Sequence, residues 1–160
     1  MALVSSGSSI FDDFFHLAAE AVTDAQSSEG ALRTAIGRAY YSVFLTVRDR
    51  LFGPDETRLT SGKRKHLQKR FQQQKKGRSP RSHDLVIFAL TDIKPTVTLR
   101  PLTLHDQVSH LKEARVHADY HFDSQNLQDI PHDTWQEYAT EIVELASQVL
   151  PVARQLPPYP

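Results

Sequence analysis

From Leu32 to Leu51 the apolar residues Leu32, Ile36, Ala39, Tyr40, Val43, Phe44, Val47 and Leu51 form one stripe at helical spacing, and Phe52-Gly53-Pro54 stops it. A stripe that long buries one side of a helix and does not alternate across a pleated sheet, so it demands helical neighbours. Candidates for those neighbours lie on both sides. Ile10, Phe11, Phe14, Phe15, Ala18 and Val22 predict a first helix over Ser9 to Ala25, with Asp12 and Asp13 near the positive end of its dipole. Ser27, Ser28 and Gly30 mark the turn between the two. Downstream, Thr103-Leu-His-Asp106 has the pattern of a capping box behind Pro101 and opens a helix to about His121. The last long helix is announced by Pro131 and Asp133 and carries Trp135, Tyr138, Ala139, Ile142, Val143, Ala146, Val149 and Leu150 toward Pro151.

Two shorter helical pieces are expected, Lys65 to Gln74 and His83 to about Thr91. Val97-Thr98-Leu99 is the only β-like run, too short to build a sheet. The expectation is therefore a single all-α domain over residues 1–160, an antiparallel four-helix bundle with one or two short additional helices. Residues 53–82 form a basic loop and short-helix insertion, and 156–160 read as a loose Pro-rich tail.

With 160 residues there is room for one ordinary domain, and with no cysteine there is no thiolate nucleophile, disulfide framework or cysteine metal site. The N-terminus lacks a basic n-region and an h-region, and no stretch is apolar enough to span a bilayer, so a cytoplasmic protein with no membrane partner is expected. Nineteen Lys and Arg balance nineteen Asp and Glu, but ten of those cations lie between Arg58 and Arg81, a stretch without an acid. The rest of the chain is left strongly acidic. Such segregation points to a polyanionic partner, with Lys63, Arg64, Lys65, Lys69, Arg70, Lys75, Lys76 and Arg78 as candidate phosphate contacts. A solvated loop or a docking surface for an acidic protein fits the same composition.

Two features of the helix after Pro101 suggest chemistry. Arg115 falls in the stripe Leu104, Val108, Leu111, Arg115, Ala118, Phe122, where an apolar residue is expected. A guanidinium there either makes a structural ion pair, with Asp119 one turn on as a ready partner, or binds an anion in a cleft. The second feature is histidine. His105, His110, His117 and His121 all lie on this helix, and His110, Glu113, His117 and His121 share a face. That pattern suits proton transfer near neutral pH, a metal site or a plain polar face.

Arg38-Ala39-Tyr40-Tyr41-Ser42-Val43-Phe44 on the second helix, followed by Ala114-Arg115-Val116-His117-Ala118-Asp119-Tyr120-His121, resembles the HEPN superfamily. Its members are small all-α proteins, and many are metal-independent RNA-cleaving toxins paired with a minimal nucleotidyltransferase antitoxin. Their motif is an Arg followed, after four to six residues, by a His near a helix end; Arg115 and His121 satisfy it. The resemblance implies a homodimeric endoribonuclease needing no metal and no cofactor, with Arg115 and His121 catalytic and Asp119 and His117 in support. An RNA 2′-hydroxyl would attack its neighbouring phosphate, leaving a cyclic phosphate and a 5′-hydroxyl, and DNA would not be cut. Tyr120 corresponds loosely to a tyrosine that the antitoxin modifies with AMP, a packing role being the alternative. Val116 stands where active members usually carry a polar residue, which leaves open an inactive module that binds RNA, nucleotide or a partner protein.

His121 lies about 120° around an ideal helix from Arg115. The two groups converge where the helix ends before His121, or where a second protomer completes the site.

Overall fold

In the computed structural model the chain is all-α, and residues 10–93, 103–120 and 132–160 are described. Six α-helices occur among them: α1 (Ile10–Thr23), α2 (Glu29–Phe52), α3 (Ser61–Gln74), α4 (Ser82–Ala89), α5 (Leu104–Tyr120) and α6 (Trp135–Ala153). Short 3₁₀ turns at Pro54–Glu56 and Leu90–Asp92 follow α2 and α4. The Val97-Thr98-Leu99 run lies outside the described residues.

The stripe on α2 organises the core. Ser28 caps its start by accepting from the Ala31 N–H at 3.2 Å, and Gly53 ends it at φ 81° while donating to the Asp49 carbonyl at 2.9 Å. A side chain at Gly53 would meet Thr57 Oγ1 at 2.8 Å as well as the unfavourable φ, so glycine is required on two counts. Between these caps Ile36, Tyr40, Val43, Val47 and Leu51 are fully buried. Each contributes roughly 1.5–3 kcal/mol by leaving water. Helix α2 packs against α1, α5 and α6, and α6 also packs against α1 and α5.

The box at Thr103 forms as its sequence suggests, with the Asp106 N–H donating to Thr103 Oγ1 at 3.1 Å and the Thr103 N–H donating to Asp106 Oδ2 at 3.3 Å. Thr134 caps α6 through the Glu137 N–H at 3.1 Å. Helix α6 continues two residues beyond Pro151, since a proline in the last turn forfeits only one backbone bond.

The basic segment is more ordered than its composition suggests. Helix α3 begins at Ser61, capped by Thr60, and buries Leu67 and Phe71. Phe71 meets Phe88 of α4 edge to face at 5.5 Å, which ties the two short helices together.

The Pro-rich end is docked rather than loose. The Tyr159 N–H donates to the Leu51 carbonyl at 2.9 Å, its hydroxyl donates to Asp92 at 2.7 Å, and its ring lies 5.5 Å from Phe52. Arg50 adds a bond to the Leu156 carbonyl at 3.0 Å. Leu156 and Tyr159 are apolar anchors that remove surface from water, and the flanking prolines have little chain entropy to lose.

Candidate functional site

The last turns of α5 are tied to α2 and α6 through Arg33. Arg33 of α2 donates from Nε to the Ala118 carbonyl at 2.7 Å, and its guanidinium lies 5.0 Å from the Trp135 ring of α6. Within α5, Ala114 occupies the core position that the stripe assigns to Arg115. Leu104, Val108, Leu111, Ala114 and Ala118 make the buried seam, and Arg115 sits at its edge with 22% of its side chain exposed. The seam turns by one residue because a methyl fits against α2 where a guanidinium would have to leave water.

From that edge Arg115 reaches two groups. Its Nε lies 2.6 Å from Asp119 Oδ2, the pairing expected one turn on, and its guanidinium carbon lies 5.6 Å from the Tyr41 ring centroid. The carboxylate and the ring fix the direction of the fork while leaving part of it in solvent.

Tyr41 also borders a histidine that sequence reasoning treats only as the start of a helix. His83, in the first turn of α4, meets Tyr41 edge-on at 5.9 Å and lies against Phe44 at 4.1 Å. Its Nδ1 is 2.9 Å from the Tyr40 hydroxyl. Burial, reinforced by the charges of Arg115 and Lys112, lowers the imidazole pKa and so favours the neutral ring. Burial chiefly, with Tyr41 nearby, raises the Tyr40 phenol far above its ordinary value.

Next to His83, Asp84 links α4 to α5. It is 9% exposed, takes an ion pair from Lys112, accepts the Arg81 N–H at 2.9 Å and has Arg78 at 3.9 Å. Burial alone would push its carboxyl up, but the Lys112 ammonium and the Arg81 N–H outweigh that and hold it below the ordinary range.

Arg115 and His117 are not brought together. His117 faces α6, where its Nδ1 is 3.4 Å from the Tyr138 hydroxyl, and the Tyr138 ring stacks on His132 at 5.5 Å. Burial and two nearby glutamates raise the Tyr138 phenol to about 12. His121 and the side chain of Tyr120 lie outside the described residues. Among the described residues no three His, Asp or Glu side chains gather as metal ligands.

The candidate phosphate contacts divide into two sets. Lys63 donates to the Tyr159 carbonyl at 3.2 Å, Arg64 pairs with Glu56 at 2.5 Å, and Arg70 pairs with Asp92 beneath the Tyr159 hydroxyl. These three hold the fold. Lys65, Lys69, Lys75, Lys76 and Arg78 are exposed. Lys75 and Arg78, with Lys112, border a cavity of about 350 Å³ between α3, α4 and α5, whose other walls include Phe71, Phe88, Glu113 and Val116. Lys75 and Arg78 thus share this cavity with Lys112 and Asp84, the residue that follows His83 on α4.

The His83 cluster has no local signature, because its partners Tyr40, Tyr41 and Phe44 are distant in sequence. No helix among the described residues is long and apolar enough to cross a membrane. Comparison with family models, curated proteins and solved structures finds no match to the chain.

Proposed function

We propose that the chain is a metal-independent endoribonuclease of HEPN type. The observation that carries this reading is the partly exposed Arg115 fork, aimed by Asp119 and Tyr41, with the His83 imidazole on the other side of Tyr41. A guanidinium so held suits a pentavalent phosphorane, whose negative charge grows as an RNA 2′-oxygen attacks the adjacent phosphorus. The resemblance supplies the rest: His121 as a proton-transfer group, a homodimer that closes the site, and a nucleotidyltransferase antitoxin that silences it by placing AMP on Tyr120. The exposed cations of α3 and the following turn lead the phosphate backbone toward the site, giving salt-dependent binding with little base choice. A cytoplasmic setting accords with this substrate.

One observation favours the alternative of a binding module without turnover. Val116 is directed to the cavity beside Lys112, so the residue after Arg115 brings no polar group there.

The test is incubation of purified protein with cellular RNA in excess EDTA, for wild type, Arg115→Ala and His121→Ala. Cyclic-phosphate ends produced by wild type and lost in both well-folded variants are expected. Cleavage that survives in both variants rejects the assignment; tight RNA binding by unmodified wild type with no cleavage selects the binding module.

A further inference from the structure

His83 shares Tyr41 as a neighbour with Arg115, and nothing in the Arg-to-His motif accounts for it. Three aromatic residues within about one turn of α2 fix its plane: Phe44 against one face at 4.1 Å, Tyr41 edge-on at 5.9 Å, and the Tyr40 hydroxyl at Nδ1, 2.9 Å away. The ring is half-buried, and its Nε2 makes no hydrogen bond among the described residues. The charged and titratable groups around it come from all three packed helices. Helix α2 supplies Tyr40, Tyr41 and Arg48, α4 supplies Asp84, and α5 supplies Lys112 and Arg115. Three cations against one buried carboxylate disfavour the imidazolium, as does its place in the first turn of α4. A histidine used only for packing has no need of this arrangement. One that must be unprotonated at neutral pH, oriented and accessible at one nitrogen is served by all of it.

We infer that His83 is the proton acceptor of the Arg115 site, its Nε2 taking the proton of the attacking 2′-hydroxyl while Nδ1–H donates to Tyr40. This inference rests on the ribonuclease reading. The 2′-O–H bond breaks with its proton moving to His83, the 2′-oxygen forms a bond to phosphorus, and the bond from phosphorus to the 5′-oxygen breaks. That oxygen takes a proton from solvent water, and His83 afterwards returns its proton to solvent, so the protons balance. Tyr40 is then a positioning residue, since it acts through the ring.

The experiment follows single-turnover RNA cleavage against pH in EDTA, for wild type, His83→Gln, Tyr40→Phe, Lys112→Gln and Arg115→Ala. His83→Gln is expected to lose about 10²–10⁴-fold in rate together with the acidic limb of the profile. Lys112→Gln weakens the positive field at His83, so the acidic limb moves to higher pH, in step with the His83 resonance followed by NMR titration. Tyr40→Phe lowers the rate and shifts the same limb. Cleavage that depends on Arg115 but proceeds in His83→Gln at the wild-type rate, with the limb unchanged, overturns this inference alone. Where His83→Gln does not fold, Lys112→Gln decides: an acidic limb that stays while the His83 titration moves overturns the inference. Absence of cleavage by unmodified wild type overturns both readings.

Discussion

Asp84 is the joint on which the arrangement turns, and its substitution by asparagine isolates the charge. The amide keeps an acceptor for the Arg81 N–H but loses the ion pair with Lys112. A hydrogen bond to a charged partner contributes about 1.5–3 kcal/mol, and Lys112 retains 27% exposure, so a cost of about 2 kcal/mol is expected. For a chain this long that lowers Tm by roughly 4–8 °C at pH 7. The pH dependence has a defined sign. The folded-state carboxyl titrates below its unfolded value, so its contribution is complete above about pH 4 and disappears as pH falls through the folded pKa. Thermal unfolding of wild type and Asp84→Asn across pH 3–8 is the assay. A gap that is constant near neutrality and closes in acid is expected. A gap below about 0.5 kcal/mol at pH 7, or one that persists undiminished in acid, refutes the assignment of Asp84 as a charged latch.

Tyr159→Ala removes a ring that is 9% exposed together with its bond to Asp92, and denaturant unfolding is expected to show a loss of about 3 kcal/mol; a loss under about 1 kcal/mol contradicts the docked tail. Tyr138 and Tyr159 both have phenols raised to about 12, so stability present below the ordinary value near pH 10 is lost as pH rises toward 12. Phenolate absorbance followed alongside circular dichroism then rises together with unfolding; two further tyrosines ionising freely near pH 10 in the native protein exclude this. Replacing Lys69, Lys75 and Lys76 together by Gln reduces the salt slope of single-stranded RNA binding by about 2, while the melting temperature changes little. An unchanged slope removes these cations from the RNA path.

Helix identity was legible where the period was strong. The stripe on α2 and the Thr103-to-Asp106 box both fold as their spacing dictates, because caps and buried faces are short-range properties. The pairing of Arg115 with Asp119 was equally visible, one turn apart on one helix. What the spacing missed are pairings between helices. Counting by fours and threes assigned Arg115 to the core, but the close approach of α2 gives that place to Ala114. His83 meets Tyr40, 43 positions upstream on α2, and Tyr159 meets the Leu51 carbonyl and Asp92 far back in the chain. Three of the eight candidate phosphate contacts are engaged within the fold, and Arg64 and Arg70 look solvated in sequence until Glu56 and Asp92 are placed beside them.

The proposed reaction is attack by an RNA 2′-hydroxyl at the Arg115 site. Its most direct measurement uses an oligonucleotide that the wild-type protein cuts at one mapped position, compared with the same oligonucleotide carrying a single 2′-deoxy sugar on the 5′ side of the cut, both in EDTA. Loss of cleavage at that position alone, with a cyclic phosphate on the all-ribose product, is the expected result. Cleavage of the deoxy-substituted strand at the same position contradicts the account.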